Sequence, residues 1–321
     1  MILPTVLDIY QARRRLEPHL QATPLRLSPW LSSIANGNVF MKLESLNLTS
    51  SFKIRGALNA ALRLCEHRNG VLPQLVTASA GNHGRALALA AERLGIACVV
   101  FTPASAPEAK KNAIRRHGAV LHGECEDYDS AEQQAKHYAE AEGGVYISPY
   151  NHPDVIAGAG TIGIEIVETI PEFDVVVIPL GGGGLASGMG LAIKAAAPRV
   201  TIVGVEVEAS SPFMVSLEAG RITEITPRPS IADGLTGNLE AGSMTFPLVK
   251  QVVDYVVTVS EEDLARAMKG LATEERLIVE GAGVATTAAI MAGKASAPGQ
   301  RVVTMVTGGN VDLPKWLLTI S

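Results

Sequence analysis

Val175-Val176-Val177-Ile178-Pro179-Leu180-Gly181-Gly182-Gly183-Gly184-Leu185 joins an apolar run to four glycines and the start of an alanine-rich pattern. A β-branched run of this length, closed by glycine, reads as a buried strand, and the alanine-rich stretch behind it reads as a helix. Strand, tight turn and helix in that order make the repeating unit of a parallel sheet with helical crossovers. Glycines let the backbone approach an anion closely, and the following helix adds unpaired N–H groups and the positive end of its dipole. The segment therefore reads as a phosphate cradle. It lacks the Lys-Ser/Thr ending of a P-loop, which argues against a nucleoside triphosphate, while Gly182, Gly184 and Gly188 leave a dinucleotide fold open.

The same alternation extends outward. Strands are expected at residues 39–43, 75–78, 98–101, 119–122, 145–147, 175–179, 202–205, 253–257 and 302–306. Helices are expected at 54–65, 82–94, 107–117, 130–141, 185–196 and 261–272, and another opens the chain with Thr5 as its cap and Asp8 in its first turn. The stretch 220–247 is rich in Pro, Gly and Thr and has no period, and loops of that length inside compact domains are usually functional or mobile. The simplest architecture is a small block, residues 48–151, inserted into a larger one, residues 1–47 and 152–321. Ligands of open parallel sheets bind outside the carboxyl ends of the strands, which directs attention to the loops there.

Composition narrows the function. In 321 residues, 47% are hydrophobic and 18% charged, with 31 glycines, a balance that suits a soluble α/β enzyme. A net charge of −5 offers no footprint for nucleic acid, and Arg13-Arg14-Arg15 falls within a helical pattern as a solvated face. Cys65, Cys98 and Cys125 form no C-x-x-C pair, which points away from a disulfide framework or a zinc site and fits a reducing cytoplasm. The amino end has no leader pattern, and no apolar run approaches the ~20 residues of a membrane span.

Four short segments carry chemistry. Ser50-Ser51-Phe52-Lys53-Ile54-Arg55-Gly56-Ala57 sets a lysine among small and apolar neighbours. An amine with a pKa of about 10.4 attacks carbonyls only when burial or a nearby cation lowers that value, and the apolar flank and Arg55 are the expected causes. Lys53 then forms a Schiff base with a carbonyl substrate or with pyridoxal phosphate; the competing reading is a surface lysine at a helix start. Ser79-Ala80-Gly81-Asn82-His83-Gly84 offers small residues and backbone N–H groups to a carboxylate, with His83 either packed or a base. Thr307-Gly308-Gly309-Asn310 ends the last strand and presents a neutral hydroxyl. Glu280, on an apolar flank, is either a helix cap or a partly buried acid near the ligand.

Taken in order, residues 51–57, 79–84, Val155-Ile156-Ala157-Gly158-Ala159-Gly160-Thr161-Ile162, 181–184 and 307–312 resemble the fold-type II pyridoxal-phosphate enzymes, in their serine/threonine dehydratase and serine racemase branch. The resemblance implies two open, mostly parallel sheets with flanking helices and the cofactor in the cleft between a large and a small domain. It implies that Lys53 carries pyridoxal 5′-phosphate and later moves the α-proton, and that Gly181, Gly182, Gly183, Gly184 and the Leu185 amide hold the phosphate. Phe52 would pack on the ring, Asn82 would bond its 3′-oxygen, Thr307 would face its nitrogen, and Gly234 and Glu280 would lie beside it. Ser79, Ala80, Asn82 and His83 would line the substrate carboxylate site.

Two departures refine this expectation. Racemases of the branch carry a second serine where this chain has Ala80, and alanine has no proton to give on the face opposite the lysine. Their divalent-ion site ends on an acid where this chain has Pro212, leaving Glu206 as one carboxylate, so no metal is expected. The expectation is a dehydratase releasing a 2-oxo acid and ammonia from a β-hydroxy-α-amino acid of threonine or serine type. β-Replacement, racemisation and a non-catalytic small-ligand-binding protein are the alternatives. For a 3-hydroxyaspartate an extra cation would be needed, with Arg85 or Lys315 the candidates. The end at Ser321 leaves no room for a regulatory domain, which points to amino-acid catabolism, and the family implies a homodimer.

Overall fold

The computed structural model describes residues 2–66 and 72–321. Helix α1 (Val6–Leu16) begins with a capping box, Thr5 accepting from the Asp8 amide and Asp8 from the Thr5 amide. Strand β1 (Leu25–Leu27) and helix α2 (Pro29–Ala35) lead to β2 (Asn38–Leu43), and Lys53 is the first residue of α3 (Lys53–Glu66). Then come β3 (Leu75–Ala78), α4 (Asn82–Leu94), β4 (Cys98–Pro103), α5 (Glu108–Arg115), β5 (Val120–Cys125), α6 (Tyr128–Ala141) and β6 (Val145–Tyr146). The chain continues through α7 (Pro153–Thr169), β7 (Val175–Pro179), α8 (Gly184–Ala196), β8 (Thr201–Val207) and α9 (Pro212–Ala219). After an irregular stretch it closes with α10 (Thr245–Val252), β9 (Tyr255–Val259), α11 (Glu261–Glu274), α12 (Gly281–Met291), β10 (Arg301–Val306) and α13 (Leu313–Ile320).

Two sheets result. The larger runs β1-β2-β10-β7-β8-β9 and the smaller β5-β4-β3-β6, and among these pairs only β1–β2 is antiparallel. Strand β7 shows why its sequence is apolar throughout: Val175 and Val177 enter one core cluster while Val176 and Ile178 enter the cluster on the opposite face. Because β10 lies between β2 and β7 and runs parallel to both, the turns after β7 and β10 open at the same edge of the sheet. That edge carries the site.

Helix α3 packs into the core of the smaller sheet through Ile54, Ala57 and Leu58 and also crosses α7 closely. A Cβ on Gly158 would lie 2.4 Å from the Arg55 carbonyl oxygen, so this glycine permits the crossing. The three-residue β1 has no periodic signal and adds a strand to those expected, and β9 starts at Tyr255 rather than at 253 because Val253 is the carboxyl cap of α10. The stretch 220–247 is irregular apart from a 3-10 turn at Asp233–Leu235 and the start of α10.

Candidate active site

The lysine is pinned from the β10 side. The Phe52 N–H donates to the Thr307 carbonyl at 3.0 Å and the Gly309 N–H to the Ser50 carbonyl at 2.9 Å, with an isolated bridge between Ser51 and Gly308. Lys53 is partly buried, its Nζ donating to the Pro149 carbonyl at 2.8 Å and lying 5.1 Å from the centre of the Phe52 ring. Burial lowers its pKa to about 8, with the Glu280 charge acting in the opposite direction. Arg55, contrary to the expectation, is not among the groups that lower it. Its guanidinium is turned away between Glu44, at 2.8 Å, and Glu165, at 2.6 Å, and Lys42 adds a second cation to Glu165 at 2.5 Å. All four groups are buried, and they tie the start of α3 to the end of β2 and to α7.

The glycine turn has the features of an anion cradle. Among the described residues no protein acceptor takes the amides of residues 181–186; the first amide bonded back into the chain is that of Ser187, to Gly183 at 2.9 Å. Gly183 has φ +81, a conformation that disfavours side chains, and a Cβ there would sit 2.4 Å from the Phe213 ring. A Cβ on Gly182 would meet the Tyr150 ring at 2.2 Å, and one on Gly181 would meet the Gly234 carbonyl at 3.1 Å. Tyr150, Phe213 and Gly234 thus wall a row of unpaired donors at a helix amino end, which fits the phosphate of a pyridoxal cofactor. Gly234 itself is exposed in the irregular stretch.

Glu206 has other work. Its buried carboxylate accepts from the amides of Phe213 and Met214, each at 2.8 Å, and so caps α9. Burial raises its pKa to about 7 against those two bonds. No group of three or more His, Cys, Asp or Glu residues suited to an ion occurs among the described residues.

The loop after β3 faces the turn after β10. Ser79 accepts from the Gly81 amide at 3.2 Å and Ala80 stands beside it, partly buried. The Asn82 amide nitrogen donates to Glu280 Oε1 at 2.6 Å, and its oxygen accepts from Asn310 Nδ2 at 2.7 Å. Of the two readings of Glu280, the side-chain cap is not found: it occupies the amino-cap position of α12, yet its side chain makes no cap bond and instead reaches Asn82. Burial pushes its carboxyl up to about 7. His83 is buried, with Nε2 at 3.2 Å from the Ile147 carbonyl, and burial with the nearby Lys53 charge drives its pKa down to about 3. It is a packed neutral ring and a poor base. A Cβ on Gly308 would meet Glu280 Oε1 at 2.1 Å, so a side chain there would displace that carboxylate.

Sequence reasoning named most of these residues, Tyr150 among them as a candidate to shape the substrate pocket, but missed the carbonyls of Ile147, which meets His83, and Pro149, which meets Lys53. Carbonyl groups have no residue-type signature, so only the fold exposes that role. The two candidate cations for a distal carboxylate separate as well. Lys315 is exposed on α13, whereas Arg85 is partly buried and donates to Asn310.

A lysine with a lowered pKa, an unpaired amide cradle and two mostly parallel sheets with flanking helices define the class, and the family comparison agrees. A family model described as pyridoxal-phosphate dependent enzyme matches residues 16–308, and the chain belongs to that family, in its fold-type II. An L-threonine ammonia-lyase of Thermotoga maritima is 40% identical over 311 residues, covering 96% of this chain and 76% of that protein. Among solved structures, maize serine racemase superposes with a TM-score of 0.90 at 31% identity over 99% of both chains. A tomato threonine deaminase, the processed form of isoform 2 from Solanum lycopersicum, gives 0.87 at 29% identity, covering 99% of this chain and 95% of that one. No helix among the described residues is long and apolar enough to cross a membrane.

Proposed function

We propose that the protein is a threonine ammonia-lyase, with serine as a smaller alternative substrate, releasing a 2-oxo acid and ammonia by α,β-elimination. The observation that carries this reading is the Lys53 amine with a pKa of about 8, held near Glu280 and Asn82 at the edge that also carries the amide cradle. When bound, the cofactor supplies an electron sink for the pair left at Cα. The amides of residues 181–186 hold its phosphate, Phe52 packs on its ring, Asn82 donates to its 3′-oxygen and Thr307 offers a hydroxyl to its nitrogen. Ser79, Ala80, Asn82 and His83 receive the substrate carboxylate beside the first turn of α4. Lys53 carries the cofactor and, once released, takes the α-proton at Nζ. Its lowered pKa leaves roughly a tenth of a free amine uncharged at pH 7. Ala80 has no proton to deliver to the other face, which favours elimination over racemisation.

Residues 48–151 are read as a small domain that closes on the remainder. The Lys110–Asp233 pair at 2.6 Å and the Asn151–Glu240 bond at 3.0 Å support that reading, since both cross between the two parts. The accompanying expectation is a cytoplasmic homodimer in amino-acid catabolism with no metal requirement. The deciding experiment is a coupled assay of 2-oxo acid release from L-threonine, L-serine and 3-hydroxyaspartate, with no added thiol. Release from threonine that disappears in Lys53→Ala is the expected result; a colourless protein that releases nothing would overturn the proposal.

A further inference from the structure

Asn82 is asked to donate to the cofactor, yet an asparagine amide has a donor end and an acceptor end of nearly equal shape, and either can face the ligand. In this protein the choice is made by a chain of hydrogen bonds that runs between α4 and the residues beside β10 and α12. Arg85 Nη1 donates to Asn310 Oδ1. Asn310 Nδ2 then donates both to the Thr49 carbonyl, at 2.8 Å, and to Asn82 Oδ1, at 2.7 Å. Asn82 Nδ2 donates to Glu280 Oε1 at 2.6 Å. A guanidinium can only donate, so Asn310 must face Arg85 with its oxygen and Asn82 with its nitrogen, and this leaves the Asn82 nitrogen to donate to Glu280. Both amides are fixed against flipping. Asn310 has both N–H groups engaged, whereas Asn82 has one N–H engaged and one remaining.

We infer that Arg85, Asn310 and Glu280 are positioning residues that fix the Asn82 amide so that its remaining N–H faces the cofactor's 3′-oxygen. This rests on the reading that the cleft binds pyridoxal phosphate beside Asn82. Two features set the chain apart from an ordinary tie. Arg85 forms no ion pair with a carboxylate among the described residues, and its Nε is buried without an acceptor, so its side chain is not held there by a salt bridge. The chain also alternates between parts of the protein: Arg85 and Asn82 lie on α4, while Asn310 and Glu280 lie on the loops that flank β10 and α12.

The test uses the full-length holoprotein and three variants. Asn310→Asp keeps the size of the side chain and its contact with Arg85 but presents only acceptors, so Asn82 must turn its nitrogen toward residue 310. Arg85→Met removes the donor, and Arg85→Lys restores a donor-only group. Cofactor affinity is read by titrating the apoprotein with pyridoxal phosphate, and the pH profile of the lysine-bound absorbance reports the environment of the 3′-oxygen. Asn310→Asp is expected to weaken cofactor binding roughly tenfold and to displace the pH profile, with Arg85→Met showing a smaller effect of the same sign and Arg85→Lys close to the parent. A thermal melt separates this from unfolding; should Asn310→Asp fail to fold, the Met and Lys variants decide the question between them. Parental affinity and pH profile in the folded variants, or equal damage from Lys and Met, would overturn the proposal. A parent protein that takes up no pyridoxal phosphate would instead remove the reading beneath it.

Discussion

The carbonyl oxygen of Pro149 holds the Lys53 amine at 2.8 Å, and that acceptor is neutral. A carboxylate in its place would oppose deprotonation strongly. Glu280 provides only a partial counterweight to burial, and the amine settles at about 8. Loading of the apoprotein with pyridoxal phosphate should therefore accelerate with pH as the amine loses its proton, roughly fivefold from pH 7 to pH 8, and level off above that. Glu280→Gln should move the midpoint downward, because it removes the charge that raises the lysine pKa. Stopped-flow absorbance across pH checks both statements, and a rate independent of pH between 6 and 9 would contradict them.

Replacing Lys53 tests the role of the same group in turnover. Lys53→Ala should bind the cofactor without the absorbance of a lysine-bound form, and 2-oxo acid release should fall by about 10²–10⁴-fold or more through loss of the proton-transferring group. Retained turnover at the parental rate would remove Lys53 from the chemistry.

The glycine turn admits no side chain at two adjacent positions for different reasons. Gly182→Ala would drive a methyl into the Tyr150 ring, and Gly183→Ala would meet Phe213 while holding φ at +81. Both variants should lose at least about tenfold in cofactor affinity by displacing the amides that face the phosphate, with the greater folding cost at Gly183. Cofactor titration alongside thermal melts separates the two effects.

The parts of this molecule that were legible in the sequence are those encoded by local pattern. The apolar run 175–180 and the four glycines after it fix a strand, a turn and a helix within a dozen residues, and the structure places all three there. The Thr5 and Asp8 box was equally local. Arg55 was not. Its neighbours in the chain made it look like the cation beside Lys53, whereas Glu165, which claims it, is 110 residues away and carries no signal of that partnership. Strand β1 escaped for a related reason, since a three-residue edge strand is defined by its partner β2 rather than by its own periodicity.

That buried network makes a stability prediction. Arg55→Leu would leave Glu44 without its guanidinium and Glu165 with only Lys42, both in surroundings closed to water. Breaking such a pair by removing one partner costs about 3–5 kcal/mol, so the urea midpoint should fall steeply. Because Arg55 lies two positions after Lys53, cofactor affinity should fall with it. An unchanged midpoint would mean that water reaches these carboxylates after the substitution.

Glu206 supplies a prediction about both metal and pH. Its carboxylate already accepts two amides of α9, and Phe213 on that helix packs against Gly183 of the cradle. Dialysis against a chelator should consequently leave turnover unchanged, and added magnesium or calcium should not raise it. The pKa of Glu206 lies at about 7 in the fold against 4.5 for a free side chain, so the folded protein binds the proton more tightly than the unfolded chain. The stability associated with that group is complete below about pH 4.5 and is lost as pH rises through about 7. Glu206→Gln should flatten that part of the stability profile, measured by urea unfolding between about pH 4.5 and 8, because an amide in this place does not titrate. A profile with the same slope in both proteins would assign the titration to Glu280, the other described carboxyl raised to about 7.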